Sequence, residues 1–148
     1  MGYTHYWDVK KKMDAETFSK FSNSCKKIAE ESGVLLANGH GEVGTKPTFD
    51  DKVVRFNGVG EDAHETFSIR IEKEGFSFCK TQQKPYDEVV VACLICLRVY
   101  LGEDVQVSSD GDLEDWKEGT DLFKKVFPDV QLPLGFLNPD DFLDSENE

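Results

Sequence analysis

Histidine is scarce in this 148-residue chain, limited to His5, His40 and His64. None of the three stands in a His-x-x-x-His or comparable spacing, so no zinc site is expected. Asp110-Gly111-Asp112 with Asp115 lacks the distal glutamate of a calcium loop, and helix capping accounts for it. Neither a metal nor a cofactor is therefore expected. Cysteine is equally sparse: Cys25, Cys79, Cys93 and Cys96. The last two form a C-x-x-C spacing, but they lie inside the apolar run from Ala92 to Leu97 with no second pair. Core packing and reduced thiols follow from that context. There is no Gly-x-x-x-x-Gly-Lys-Ser/Thr and no Gly-x-Ser-x-Gly, which excludes a P-loop and a hydrolase elbow. No apolar run reaches the roughly 20 residues of a membrane span. The first residues lack a secretory layout, and Tyr6 stands where N-myristoylation wants Ser or Thr. A soluble, cytoplasmic protein with no membrane partner is expected.

Positive charge is also in short supply, with 17 Lys and Arg against 29 Asp and Glu and a net charge of −12. Sequence-independent binding to nucleic acid needs a basic surface, so no nucleic acid partner is expected. An acidic surface can mimic nucleic acid. However, Asp140, Asp141, Asp144, Glu146 and Glu148 concentrate the excess negatives at the end, leaving the body only mildly acidic.

What is present reads as one globular domain over residues 1–137, followed by an acidic mobile tail at 138–148. Hydrophobic residues make up 39% of the chain and eleven are Phe, enough for a real core. Gly2 to Val9 alternates as a strand. Asp14 caps a helix to Ser32, with Phe18, Phe21, Cys25 and Ile28 on one face, and Gly33 ends it. Residues 39–51 read as a loop. Strands follow at 52–57, 65–71 and 75–80, separated by short turns, and predict an antiparallel meander. Pro85 suits a first helical position, and the helix runs to Gly102, apolar nearly all round and hence central and buried. A short strand from Val105 to Ser108 and a helix capped by Asp110 or Asp112, stopped at Pro128, complete the order. The fold class is α+β: a two-layer domain with a mainly antiparallel sheet and three helices, one of them buried.

Chemistry-bearing residues concentrate in Cys79-Lys80-Thr81-Gln82-Gln83-Lys84-Pro85-Tyr86-Asp87. This stretch sets Lys80, Thr81, Lys84 and Tyr86 at the start of the apolar helix, where unpaired N–H groups and the helix dipole favour an anion. Ser108, Ser109 and Asp110, where a strand hands over to a helix, suit ribose or base edges. His64-Glu65-Thr66 is half the signature of a two-histidine phosphoesterase, but no second His-x-Thr exists.

Gly2-Tyr3-Thr4-His5-Tyr6-Trp7, Phe56-Asn57-Gly58 with His64-Glu65-Thr66-Phe67, Lys80-Thr81 with Lys84-Pro85-Tyr86-Asp87, and Ser108-Ser109-Asp110-Gly111-Asp112 together carry a likeness. Over residues 2–127 the chain resembles a family of uncharacterised proteins from bacteriophage, bacterial and some fungal genomes. Members usually carry Ala-Arg where Gln82 and Gln83 stand, so an arginine that would offer a phosphate contact is absent at this position. A phage-type setting implies capture of a small anionic, nucleotide-derived ligand as an anti-defence sponge. His5, Trp7, Lys80, Lys84 and Tyr86 would supply its cationic and aromatic contacts. Lys80 and Lys84 would meet phosphate, aided by the backbone N–H groups of Tyr86 and Asp87. Trp7 or Tyr86 would stack on a base, beside Thr81 and His64. Two alternatives stand beside this reading. One is a small hydrolase with His64 as base and Glu65 or Asp87 as its partner. The other is a protein–protein inhibitor working through its acidic surface and tail. Sponges are often oligomers with pockets between subunits, so a homo-oligomer is among the expectations.

Overall fold

The computed structural model describes residues 2–133, and the acidic tail expected at 138–148 lies outside them. The architecture is α+β. Its elements in chain order are β1 (Thr4–Val9), α1 (Ala15–Ser32), β2 (Thr48–Phe49), β3 (Val53–Phe56), β4 (Phe67–Arg70), β5 (Gly75–Lys80), α2 (Asp87–Leu101), β6 (Val105–Ser109) and α3 (Lys117–Val126).

α1 forms as its sequence dictates. The Asp14 carboxylate accepts the Thr17 N–H at 2.8 Å, and Gly33 closes the helix at φ 72°. Phe18, Phe21, Cys25 and Ile28 make its buried stripe. α2 is buried continuously from Val89 to Leu97. Its valines favour strands, but burial on every side overrides that preference. α2 packs against α1, α3 and β6, and so occupies the centre. α3 approaches it at Gly119, where an added Cβ would stand 2.3 Å from Val91 Cγ1. Cys25, Cys79, Cys93 and Cys96 are free and buried, so the C-x-x-C pair is core. Burial pushes the Cys79 thiol up to about 12.

The strands depart from the expected meander. β3 does pair with β4, but β5 leaves them and joins β1 and β6. Two three-stranded antiparallel sheets result, ordered β5-β1-β6 and β2-β3-β4; β2 falls inside the stretch expected as loop. β4 and β5 still touch at one end, where Glu65 N–H bonds to the Lys80 carbonyl (3.1 Å) and Glu65 Oε1 accepts the Lys80 N–H (2.7 Å). Continuing that register would set Phe67 opposite Phe78 on a single face. Phe67 is 0% exposed and Phe78 is 55% exposed, so one sheet cannot contain both pairings. Phe67 instead packs across on Trp7, with ring centroids 5.3 Å apart.

In the first sheet β1 is central, with His5 opposite Cys79 and Ser109, and Tyr6 opposite Phe78 and Ser108. The two-residue alternation then sends His5, Trp7 and Val9 inward, while Tyr6 and Asp8 face outward.

Candidate functional site

The register of β1 with β5 and β6 brings three expected site residues, His5, Thr81 and Ser109, together with Asp87 in one largely buried polar network. Ser109 Oγ lies 2.8 Å from His5 Nδ1, and His5 Nε2 lies 2.6 Å from Asp87 Oδ1. Thr81 donates its hydroxyl to the same Asp87 oxygen at 2.5 Å, and Asp110 accepts the Thr4 N–H at 3.0 Å beside the network. His5 and Thr81 are both fully buried. The His5 ring meets Tyr3 and Trp116 edge-on, with centroids 5.1 and 5.3 Å away. Gly111 leaves room for the Tyr3 hydroxyl, which an added Cβ would approach to 2.1 Å. Burial, then the Asp87 and Asp115 carboxylates, hold the Tyr3 phenol well above its usual range.

Serine, histidine and aspartate in contact have the composition of a nucleophilic triad, but donor accounting gives them another role. Ser109 Oγ accepts the Gly111 N–H (2.9 Å) and the Trp116 Nε1–H (3.1 Å). Both lone pairs of the hydroxyl are thereby occupied, and its own proton is directed at His5 Nδ1. His5 therefore carries its proton on Nε2 and donates it to Asp87. The bonds run one way, from Gly111 and Trp116 through Ser109 and His5 to the Asp87 carboxylate. A serine with neither lone pair free is a brace and not a nucleophile.

The expected acid–base pair is not assembled. Asp87 holds His5 and not His64. The His64 backbone is pinned by Asn57 at 3.0 and 2.9 Å while the residue is exposed. Glu65 is spent on structure, accepting the Lys80 N–H and, at its carbonyl, the Tyr86 hydroxyl at 2.6 Å.

The start of α2 also differs from the expected anion pocket. The helix begins at Asp87, two residues after Pro85, and the Asp87 N–H is taken by the Lys84 carbonyl at 2.8 Å. Gln82 and Gln83 sit at φ 54° and 57°, the left-handed region, and fold the loop back onto Tyr3. A cleft of about 600 Å³ does open here, but Lys84 shares it with Asp87, Glu88, Glu114, Asp115 and Glu118. Burial, then Glu118 and Asp87, raise the Glu88 carboxyl. Its field repels anions. Lys80 does not line this cleft; its stem crosses Gly2 on the outer side of β5.

Neither expected stacking residue is available. Trp7 is 3% exposed and Tyr86 is 0% exposed, because both lie on inward-facing positions. The available aromatics are on the opposite side. Phe76 is 57% exposed and Phe78 is 55% exposed; Tyr6 stacks on Phe76 with centroids 5.9 Å apart and planes at 26°. Asp110 accepts the Tyr6 hydroxyl at 3.1 Å and steadies the ring. Lys80, Thr4, Asp8, Gln106 and Ser108 belong to the same outer face, which thus collects three rings, one lysine and the Asp8 carboxylate beside its hydroxyl and amide groups. The alternation in Gly75-Phe76-Ser77-Phe78-Cys79-Lys80 places Phe76, Phe78 and Lys80 together. Which face turned outward was not written in that alternation.

No protein-family model, curated protein or solved structure matches the chain, so the functional reading rests on this geometry.

Proposed function

We propose that the protein binds, without converting, a small ligand that carries a planar ring and negative charge. A nucleotide-derived ligand fits that description. The open aromatic face of the β5-β1-β6 sheet carries this reading, because two adjacent exposed phenylalanines are unusual on a face that water would otherwise cover. Base–aromatic stacking contributes about 1–3 kcal/mol per base and needs no catalytic group. Lys80 stands two residues along β5 from Phe78, roughly 7 Å away at the rise of a strand, in position to meet a phosphate. Capture without turnover is the chemistry of a sponge that withholds a nucleotide signal, the anti-defence role suggested by a phage-type setting. Saturation of Ser109, His5 and Thr81 within the buried network supports binding over catalysis.

The test is to incubate the protein with cyclic and linear nucleotides, remove unbound material, denature it and identify what is released. An intact nucleotide, with affinity lowered roughly tenfold or more by Phe78→Ala, is the expected result. Release of an altered nucleotide would transfer the assignment to the hydrolase reading, with His64→Ala as its check. Absence of any bound nucleotide refutes the proposal.

The acidic cleft favours a second reading, an inhibitor that meets a basic protein partner. Such binding should weaken steeply as salt is raised, and should survive Phe78→Ala.

A further inference from the structure

A second concave site lies between the C-terminal half of α1 and the segment that leads into β2, and it shares no lining residue with the acidic cleft. It has a volume of about 450 Å³, within the range of small-molecule sites. Its floor is apolar: Ala29, Val34, Leu36, Pro47 and Phe49. Leu36 is 8% exposed at the bottom, and the other four are half-buried around it. Lys26 and Lys46 stand exposed on its rim. Neither lysine forms an ion pair among the described residues, although carboxylates outnumber cations in the chain. One carboxylate, Glu30, shares the rim, so the site is net positive where the rest of the surface is negative.

An apolar floor beneath two unpaired cations selects for an amphiphile. The apolar body gains by leaving water, at roughly 25 cal/mol for each Å² buried. The anionic head stays at the rim, where lysine ammonium groups meet it while remaining partly hydrated. A neutral apolar molecule would leave the lysines unused, and a polyanion would leave the floor unused. We propose that this groove is a binding site for an amphiphilic monoanion, a carboxylate carrying an alkyl or aryl body. The site is separate from the aromatic sheet face and does not depend on the function assigned to it.

Decanoate is a suitable probe, with decanol as its uncharged counterpart, each titrated calorimetrically into the full chain. Decanoate should bind, decanol should bind at least about tenfold more weakly, and Lys26→Gln/Lys46→Gln should lower decanoate affinity about tenfold. Both lysines are exposed, so the double variant keeps the fold, checked by an unchanged melting curve. Absence of decanoate binding overturns the proposal. Equal affinity for decanol, or undiminished affinity in the double variant, overturns it as well, since the cations would then contribute nothing. Light scattering during the titration covers the remaining case. A dimer that dissociates as decanoate binds would make a second copy the occupant of the groove, and would also overturn the proposal.

Discussion

Ser108 and Ser109 are adjacent, chemically identical and both half-buried, yet the structure assigns them opposite sensitivities to substitution. Ser109→Ala removes the oxygen to which Gly111 N–H and Trp116 Nε1–H donate, and the donor that faces His5 Nδ1. Each buried polar group left facing a methyl costs about 1–3 kcal/mol. Ser109 is only half-buried and water can reach part of the gap, so values near the lower end apply, totalling about 2–3 kcal/mol. Ser108→Ala on the outer face should stay within about 0.5 kcal/mol of wild type. Trp7 and Trp116 are both buried, so their fluorescence reports unfolding directly. With a slope of about 2 kcal/mol per molar urea, the midpoint for Ser109→Ala should fall by roughly 1–1.5 M while that for Ser108→Ala stays in place. Equal midpoints for the two variants would show that the hydroxyl at 109 does not brace the network. The donor accounting, and the case against a nucleophilic serine, would fall with it.

Gly119→Ala introduces the best helix former into α3, yet it should lower the melting temperature by roughly 3–6 °C, because the new methyl would meet the β-branched Val91 of α2 at 2.3 Å. A melting temperature at or above wild type would mean that the two helices separate without cost. Glu88→Gln tests the acidic cleft through its pH dependence. Burial, Glu118 and Asp87 raise the folded-state pKa of Glu88, so its ionised form destabilises the fold at neutral pH, and that penalty disappears as pH falls below the unfolded value of about 4.3. The variant should therefore be more stable than wild type at pH 7 and equal to it near pH 3, measured by urea unfolding at both values; a gap that widens on acidification has the wrong sign.

Local physics was legible in the sequence. The α1 cap at Asp14, its stop at Gly33 and its buried stripe follow from side-chain chemistry within a few residues of each other. The continuous apolar run of α2 announced a buried central helix. Asp112 and Asp115 exchange bonds of 3.1 and 2.9 Å in the turn before α3. However, α3 begins at Lys117 after Trp116 with no side-chain cap, so the helix cap expected at Asp110 or Asp112 is not formed. A cap joins residues within one turn and an apolar stripe is set by helical spacing, so both can be read without knowing which distant segment they meet.

Pairings between distant segments were decided only by the tertiary structure. Short strands with close turns made a meander the economical reading, but Phe67 must be buried and Phe78 is not, so β5 joined the N-terminal strand. That choice set which side of β1 faced inward. It buried His5 and Trp7, exposed Tyr6, and moved the aromatic surface from the expected Trp7 and Tyr86 to Phe76 and Phe78. It also joined Asp87 to His5, 82 positions away, instead of to His64. The sequence by itself determined which segments are helices, which residues form the core of α1 and α2, and which residue types are available for chemistry. It left open which face of each strand meets water and which distant polar groups share a proton. A strand's alternation looks the same from either side until another strand docks against it.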